Sequence, residues 1–255
     1  MATVSDTPPV LDAPAAGSVL SSFHPFGVLH AGAVVVGALL VLGVVWAGRR
    51  GLREGHEERV RAGWIGASLV VQAASIIYYA LPANLDLSES LPLHVCDLAG
   101  PIAIAALWTR VRILRTLLYF WGIGLSSQAF FTPVLEAPYG LETLRFWLFF
   151  GTHLQIVGSA VYDLAVMRYR PAMPDFVRGS LVTMGYVGVM LPLNIATGWN
   201  YGYVGQTTPA NPTPLDLLGS WPLRLLWLAL ICHGVFLLMT LVWRLAPRTP
   251  DPRDS

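Results

Sequence analysis

Residues 28–48 read Val-Leu-His-Ala-Gly-Ala-Val-Val-Val-Gly-Ala-Leu-Leu-Val-Leu-Gly-Val-Val-Trp-Ala-Gly, with no Asp, Glu, Lys or Arg. Wound as an α-helix, an uncharged apolar run of this length rises about 30 Å, the thickness of a bilayer's hydrocarbon core. Six further stretches, 62–82, 92–109, 113–132, 144–167, 178–197 and 221–244, have similar length and character. The whole chain of 255 residues is 55% hydrophobic and 12% charged, with a mean hydropathy of +0.58, which excludes an ordinary water-soluble domain. The predicted fold class is therefore all-α: a polytopic membrane bundle of seven transmembrane helices over 25–245. Residues 1–24, rich in Ala, Pro and Ser and without a basic start, read as a flexible tail and not a signal peptide, and 246–255 as a second tail.

All 16 basic residues are arginine, and their distribution sets an orientation by the excess of positive charge in cytoplasmic loops. Arg49, Arg50, Arg53, Arg59 and Arg61 fall in the loop after the first stretch, and Arg110, Arg112 and Arg115 in the next loop on that side. Arg168, Arg170 and Arg178 follow, then Arg244, Arg248 and Arg253, leaving only Arg145 and Arg224 opposite. The N-terminus is expected outside and the C-terminus in the cytoplasm. Topology accounts for the arginines, so nucleic acid is not an expected partner.

The absence of lysine rules out a retinal Schiff base, so seven helices do not make a rhodopsin. Cys96 and Cys232 sit at different predicted depths, about 6 Å and 16 Å into their helices, so no disulfide is expected between them. No nucleotide-binding glycine loop and no His-Glu-x-x-His is present.

Polar chemistry concentrates in Leu-Pro-Leu-His-Val-Cys-Asp, 91–97, at the outer end of the third stretch. Ionisable groups within a bilayer are costly and usually mark a site. Pro92 suits a first helical turn, which puts Cys96 about one turn in. His94 and Asp97, three apart, share a face, with Cys96 rotated by about 100° from Asp97. Gln128, His153, Gln155 and Asn194 are assigned to the same outer half of the bundle, which brings Cys96 and His153 within reach of one another. Plainer readings stand beside these. A lone membrane cysteine is more often a packing residue, an intramembrane His often an interhelical hydrogen bond, and Asp97 a partner of His94 or an arginine that fixes helix register. Tyr78, Tyr79, Trp147, Trp199 and Trp221 are explained by the interfacial aromatic belt.

The run 91–97, with Tyr-Phe-Trp-Gly at 119–122, Thr132-Pro133, His153, Asn194 and Asn-Tyr-Gly-Tyr at 200–203, resembles the YwaF-type bacterial integral membrane proteins and, through them, the transmembrane protein 164 family. That resemblance implies a seven-helix acyltransferase of the bacterial inner membrane acting on phospholipids, with Cys96 as nucleophile and His153 as its base. The partners are then membrane lipids, a phospholipid donor and a lysolipid or alcohol acceptor, and neither cofactor nor metal is expected. In the chemistry of such a site Gln128 or Asn194 would donate to the oxyanion, and Asp97 or His94 would orient His153. Two other classes compete. A metal-dependent intramembrane hydrolase would use His94, Asp97, His153 and His233, but no His-x-x-x-His pair puts two ligands on one helical face. A receptor or transporter would use the same outward polar cavity to bind without chemistry.

Overall fold

The computed structural model of the protein describes residues 23–133, 139–206 and 214–245. All but the last two residues of the expected N-terminal tail, and the whole C-terminal tail, lie outside that set. Among the described residues are seven α-helices, interrupted by π and 3-10 segments: α1 (Val28–Glu54), α2 (Glu57–Ala80), α3 (Val95–Thr109), α4 (Arg112–Leu117), α5 (Leu144–Ala165), α6 (Met173–Thr197) and α7 (Leu223–Leu245). The chain divides into two compact units, Met1–Met167 and Arg168–Ser255.

Four helices, α1, α2, α6 and α7, are long and apolar enough to cross a membrane. Their large apolar side chains are widely exposed, Val35, Leu39, Leu42 and Trp46 on α1 and Leu226, Leu230 and Leu238 on α7 among them. Exposure of that extent on a helix this long calls for a lipid solvent. The other predicted spans differ in kind. The third is a 15-residue helix. The fourth is a continuous helical run that changes pitch, from α4 to a π-helix at Leu118–Leu125 and a 3-10 turn at Ser126–Phe130. The fifth, α5, carries Gln155, Ser159 and Asp163 buried along its length, because it is surrounded by protein and does not need an apolar surface.

Several boundaries move outward from the hydropathy estimate. The predicted loop of five arginines is largely helix: α1 runs on through Arg49, Arg50 and Arg53, and α2 begins at Glu57. Hydropathy falls at the first charge, but the backbone hydrogen bonds continue. An Arg50–Glu54 pair at 2.6 Å supports the last turn of α1, and Gly55, at φ 75°, ends it with the His56 N–H bonding back to the Gly51 carbonyl. Only Gly55 and His56 separate the two helices.

In the first unit, glycines let α5 approach its neighbours closely. A Cβ at Gly48 would lie 2.6 Å from the Tyr162 ring, and one at Gly158 would lie 2.7 Å from Trp64. Polar fasteners lock the same contacts: the Trp64 indole donates to Ser159 Oγ at 2.9 Å, and the Tyr162 hydroxyl donates to Glu57 at 2.9 Å. Glu57 also takes Arg61 at 3.2 Å, and Arg61 donates to the Leu107 carbonyl on α3. Nearby, Arg115 pairs with the buried Asp163 at 2.8 Å. At the opposite end, Phe23 is fully buried against Phe146 and Phe150. His30 there accepts from the Phe26 N–H through Nδ1 and meets the Phe130 carbonyl through Nε2 at 3.0 Å. Between α2 and α3 the chain turns tightly, and Ser88 bonds Asp86 through its hydroxyl and N–H, holding that carboxyl below its ordinary range.

In the second unit, the Asp175 carboxylate accepts from the Ala172 N–H and caps α6, which therefore starts five residues before the hydropathy edge at 178. Gly198 at φ 75° ends it. Arg224, at the head of α7, is buried and bonds Asp216 and the Gly205 carbonyl. Arg170 stacks over Trp243 at 4.4 Å.

Candidate functional site

Helix α3 begins later than Pro92 suggested. Asp97 accepts from the His94 backbone N–H at 3.0 Å, so His94 is the N-cap and Cys96 the second residue of the helix, not a residue one turn in. Pro92 lies before the helix. The reason is local: a carboxylate at the third helical position satisfies the N–H of the cap, which selects the start. The Cys96 thiol has the Asp97 Oδ1 as its neighbour at 4.0 Å, the outer edge of a sulfur hydrogen bond. Both residues, and His94, are half-buried. Four residues on from Asp97, Pro101 lacks the N–H that would have bonded the Asp97 carbonyl.

Helix α5 lies alongside α3 and runs in the same direction. Gln155 donates to the Gly100 carbonyl at 3.2 Å across a sequence separation of 55. Further along, Ala103 and Ala106 pack with Ala160, and Leu107 packs with Tyr162 and Val166. The separation of the pairs stays nearly constant, as only parallel helices allow. Counting back from Gln155 and Gly100, Cys96 is level with Gly151, so His153 stands about 3 Å from it along the helix axes.

The His153 ring is half-buried and packs on Phe149 with centroids 4.7 Å apart. Its Nδ1 is 2.7 Å from the Phe149 carbonyl oxygen. A carbonyl only accepts, so Nδ1 carries the proton of the neutral ring and Nε2 presents its lone pair. This is the tautomer a general base needs.

Gly100, one turn below Cys96, is a meeting point that hydropathy does not reveal. The Gln155 amide reaches it from α5, and the Gln72 side chain from α2 lies where a Cβ on Gly100 would go. Gln72 was visible as one amide in an otherwise apolar stretch, but its position is set only by packing.

The other expected residues have these surroundings. Gln128, in the 3-10 turn, has an exposed side chain, and its carbonyl closes the turn to Phe131 and Thr132. Asn194 belongs to the second unit, where its amide accepts from the Tyr201 N–H at 3.0 Å and donates to the Tyr201 carbonyl at 2.8 Å, pinning the segment after α6. His233, on α7, is bonded through Nδ1 to the Ala229 carbonyl at 2.7 Å. Among the described residues no three His, Cys, Asp or Glu side chains are grouped closely enough to share a metal ion.

A family model described as the TMEM164 family matches residues 19–240 of the chain. No curated protein and no solved structure matches it.

Proposed function

The chain belongs to the TMEM164 family, and from that membership we propose that it is an integral membrane acyltransferase working on phospholipid acyl chains through a thioester on Cys96. What supports the reading is that a cysteine at the start of α3 and a histidine of the parallel helix α5 fall at nearly the same level along the helix axes, as the Gln155–Gly100 register places them. The histidine's Nδ1 is fixed on a backbone carbonyl, which in the neutral ring makes Nε2 the nitrogen with the lone pair.

The chemistry follows from those groups. The Cys96 thiol passes its proton to His153 Nε2, and the sulfur attacks the ester carbonyl of a phospholipid. Collapse of the tetrahedral adduct breaks the acyl C–O bond, and the departing alkoxide takes the proton from His153. A second alcohol, on a lysolipid, then gives its proton to His153 and attacks the thioester, and the thiolate leaves to be reprotonated. The oxyanion is stabilised by the Val95 and Cys96 N–H groups in the first turn of α3, the Asp97 N–H being taken by the His94 side chain. Gln128 is exposed and Asn194 is committed to Tyr201, so neither is needed for that role. Asp97 and His94 hold the cysteine in place by capping the helix.

In this reading all seven hydropathic stretches span a bacterial inner membrane, with the N-terminus outside and the C-terminus in the cytoplasm. The arginine distribution supports it: eight of the nine arginines in Met1–Met167 lie at the end of the unit where α1 meets α2 and α3 meets α4. Cys96 then sits toward the outer leaflet, near the level of lipid ester groups.

Intact-protein mass spectrometry after incubation with phospholipid tests the proposal. An acyl mass on the wild type that is absent from Cys96→Ala and slow to form in His153→Ala is the expected result. Full turnover by Cys96→Ala would overturn it.

A further inference from the structure

Arg145 is the one arginine of the first unit at the end opposite the arginine cluster, so the positive-inside rule does not explain it. It is the second residue of α5, and it is held by aromatic rings. Its guanidinium carbon lies 4.7 Å from the Tyr139 ring centre and 5.9 Å from that of Tyr79. One terminal nitrogen donates to the Tyr139 hydroxyl at 3.2 Å, and the other to Glu89 at 3.3 Å. Two of five guanidinium donors are thus engaged. The pair with Glu89 is exposed, with the two side chains 31% and 55% accessible, and an ion pair in that setting is weak and easily exchanged.

The position along the bundle matters as much as the contacts. Cys96 is level with Gly151, six residues below Arg145 on α5, a rise of about 9 Å. The headgroup zone on each face of a bilayer is roughly 5–7 Å thick beyond the hydrocarbon core. A lipid whose ester carbonyl reaches Cys96 therefore presents its phosphate near the Arg145 fork. Guanidinium matches phosphate by paired N–H donors, and the two tyrosine rings keep the fork from collapsing onto the helix.

We propose that Arg145, framed by Tyr79 and Tyr139, is the anchor for the phosphate of the lipid substrate, with Glu89 as the anion that the phosphate displaces. The inference rests on the reading of Cys96 as the group that meets the lipid ester. It makes Arg145 the residue that selects a phosphate-bearing lipid over a neutral glyceride with the same chains.

Binding of phosphatidylcholine and of diacylglycerol with identical chains, measured by native mass spectrometry on the full-length protein released from detergent, tests it. The wild type should prefer the phospholipid by about tenfold, and Arg145→Gln should bring that ratio near unity with diacylglycerol binding unchanged. Arg145→Lys, which keeps the charge and loses the fork, should fall between. Glu89→Gln should hold or strengthen the preference, because it removes the competing anion. If the Arg145–Glu89 pair only fastens the α2–α3 connection to α5, Glu89→Gln will lose as much as Arg145→Gln, and the proposal fails. It fails equally if Arg145→Gln keeps the wild-type ratio, or if millimolar inorganic phosphate displaces the phospholipid, which would make the site one for a free anion. Binding is read without turnover, so an unacylated Cys96 would sink the acyl-transfer reading and leave this ratio intact.

Discussion

His153 Nδ1 lies 2.7 Å from the carbonyl oxygen of Phe149, one turn earlier in α5, and this contact decides which ring nitrogen of the neutral imidazole keeps its lone pair. With Nδ1 as donor, Nε2 accepts. Replacing His153 by Ala should slow acylation of Cys96 by about 10²- to 10⁴-fold, the usual worth of a general base, while the helical circular dichroism spectrum stays unchanged. A rate within threefold of the wild type would remove His153 from the mechanism.

Asp97 should show itself mainly in stability. Its carboxylate satisfies the His94 N–H at the start of α3, so Asp97→Ala should cost about 1 kcal/mol and lower the melting temperature in detergent. Asp97→Asn keeps a carbonyl oxygen in that position and should recover most of the loss. Equal melting temperatures for all three proteins would contradict the capping role.

Arg115 and Asp163 form a pair in which the carboxylate is 2% accessible. Removing the carboxylate leaves the Arg115 guanidinium without its counter-charge, and Asp163→Ala should destabilise the protein by about 3–5 kcal/mol in denaturant titration. The double change Arg115→Met with Asp163→Leu should be far milder than either single truncation. If the two losses simply add, the residues are uncoupled and the buried-pair reading fails.

Two glycines give opposite expectations for one added methyl. At Gly158 a Cβ would be 2.7 Å from Trp64, whereas at Gly66 nothing lies within 4 Å. Gly158→Ala should destabilise by about 1–3 kcal/mol through overpacking of α2 against α5. Gly66→Ala should be neutral or stabilising by up to about 1 kcal/mol, since alanine restricts the unfolded chain and favours helix. Thermal unfolding of both variants side by side checks the contrast.

Much of this organisation is legible in the order of residues, and what is hidden is hidden for physical reasons. The apolar runs at 28–48 and 221–244 announce α1 and α7 because lipid contact demands an uninterrupted apolar surface. α5 is harder to read, since a helix enclosed by other helices tolerates Gln155, Ser159 and Asp163. The change of pitch at Leu118–Leu125 leaves no mark in hydropathy, because a π turn and an α turn of the same apolar residues have the same composition. Residues 91–97 stood out by their cost in a membrane, and His153 by its depth. Their alignment depends on the parallel register of α3 and α5, which is fixed by Gln155 and Gly100, two residues with no signature of their own. The Asn194 amide, an alternative with Gln128 for an oxyanion donor, bonds the backbone N–H and carbonyl of Tyr201, an arrangement decided by the fold of the following segment and not legible in the sequence.

With 15 residues, α3 rises only about 22 Å, against a hydrocarbon slab of about 30 Å. On the seven-span reading, with Arg110 in one headgroup layer, the opposite end of α3 stops about 8 Å short of the other surface, and the bilayer is locally thinned or the chain before Val95 is sunk into it. On the proposed acyl-transfer reading, either adjustment lets lipid ester groups meet Cys96 at the short end of α3. A thioester formed there, as proposed, would be within reach of membrane-dissolved alcohols. If Cys96 carries the proposed thioester, the brevity of one helix would then favour passing the acyl chain to another lipid over releasing it as a fatty acid.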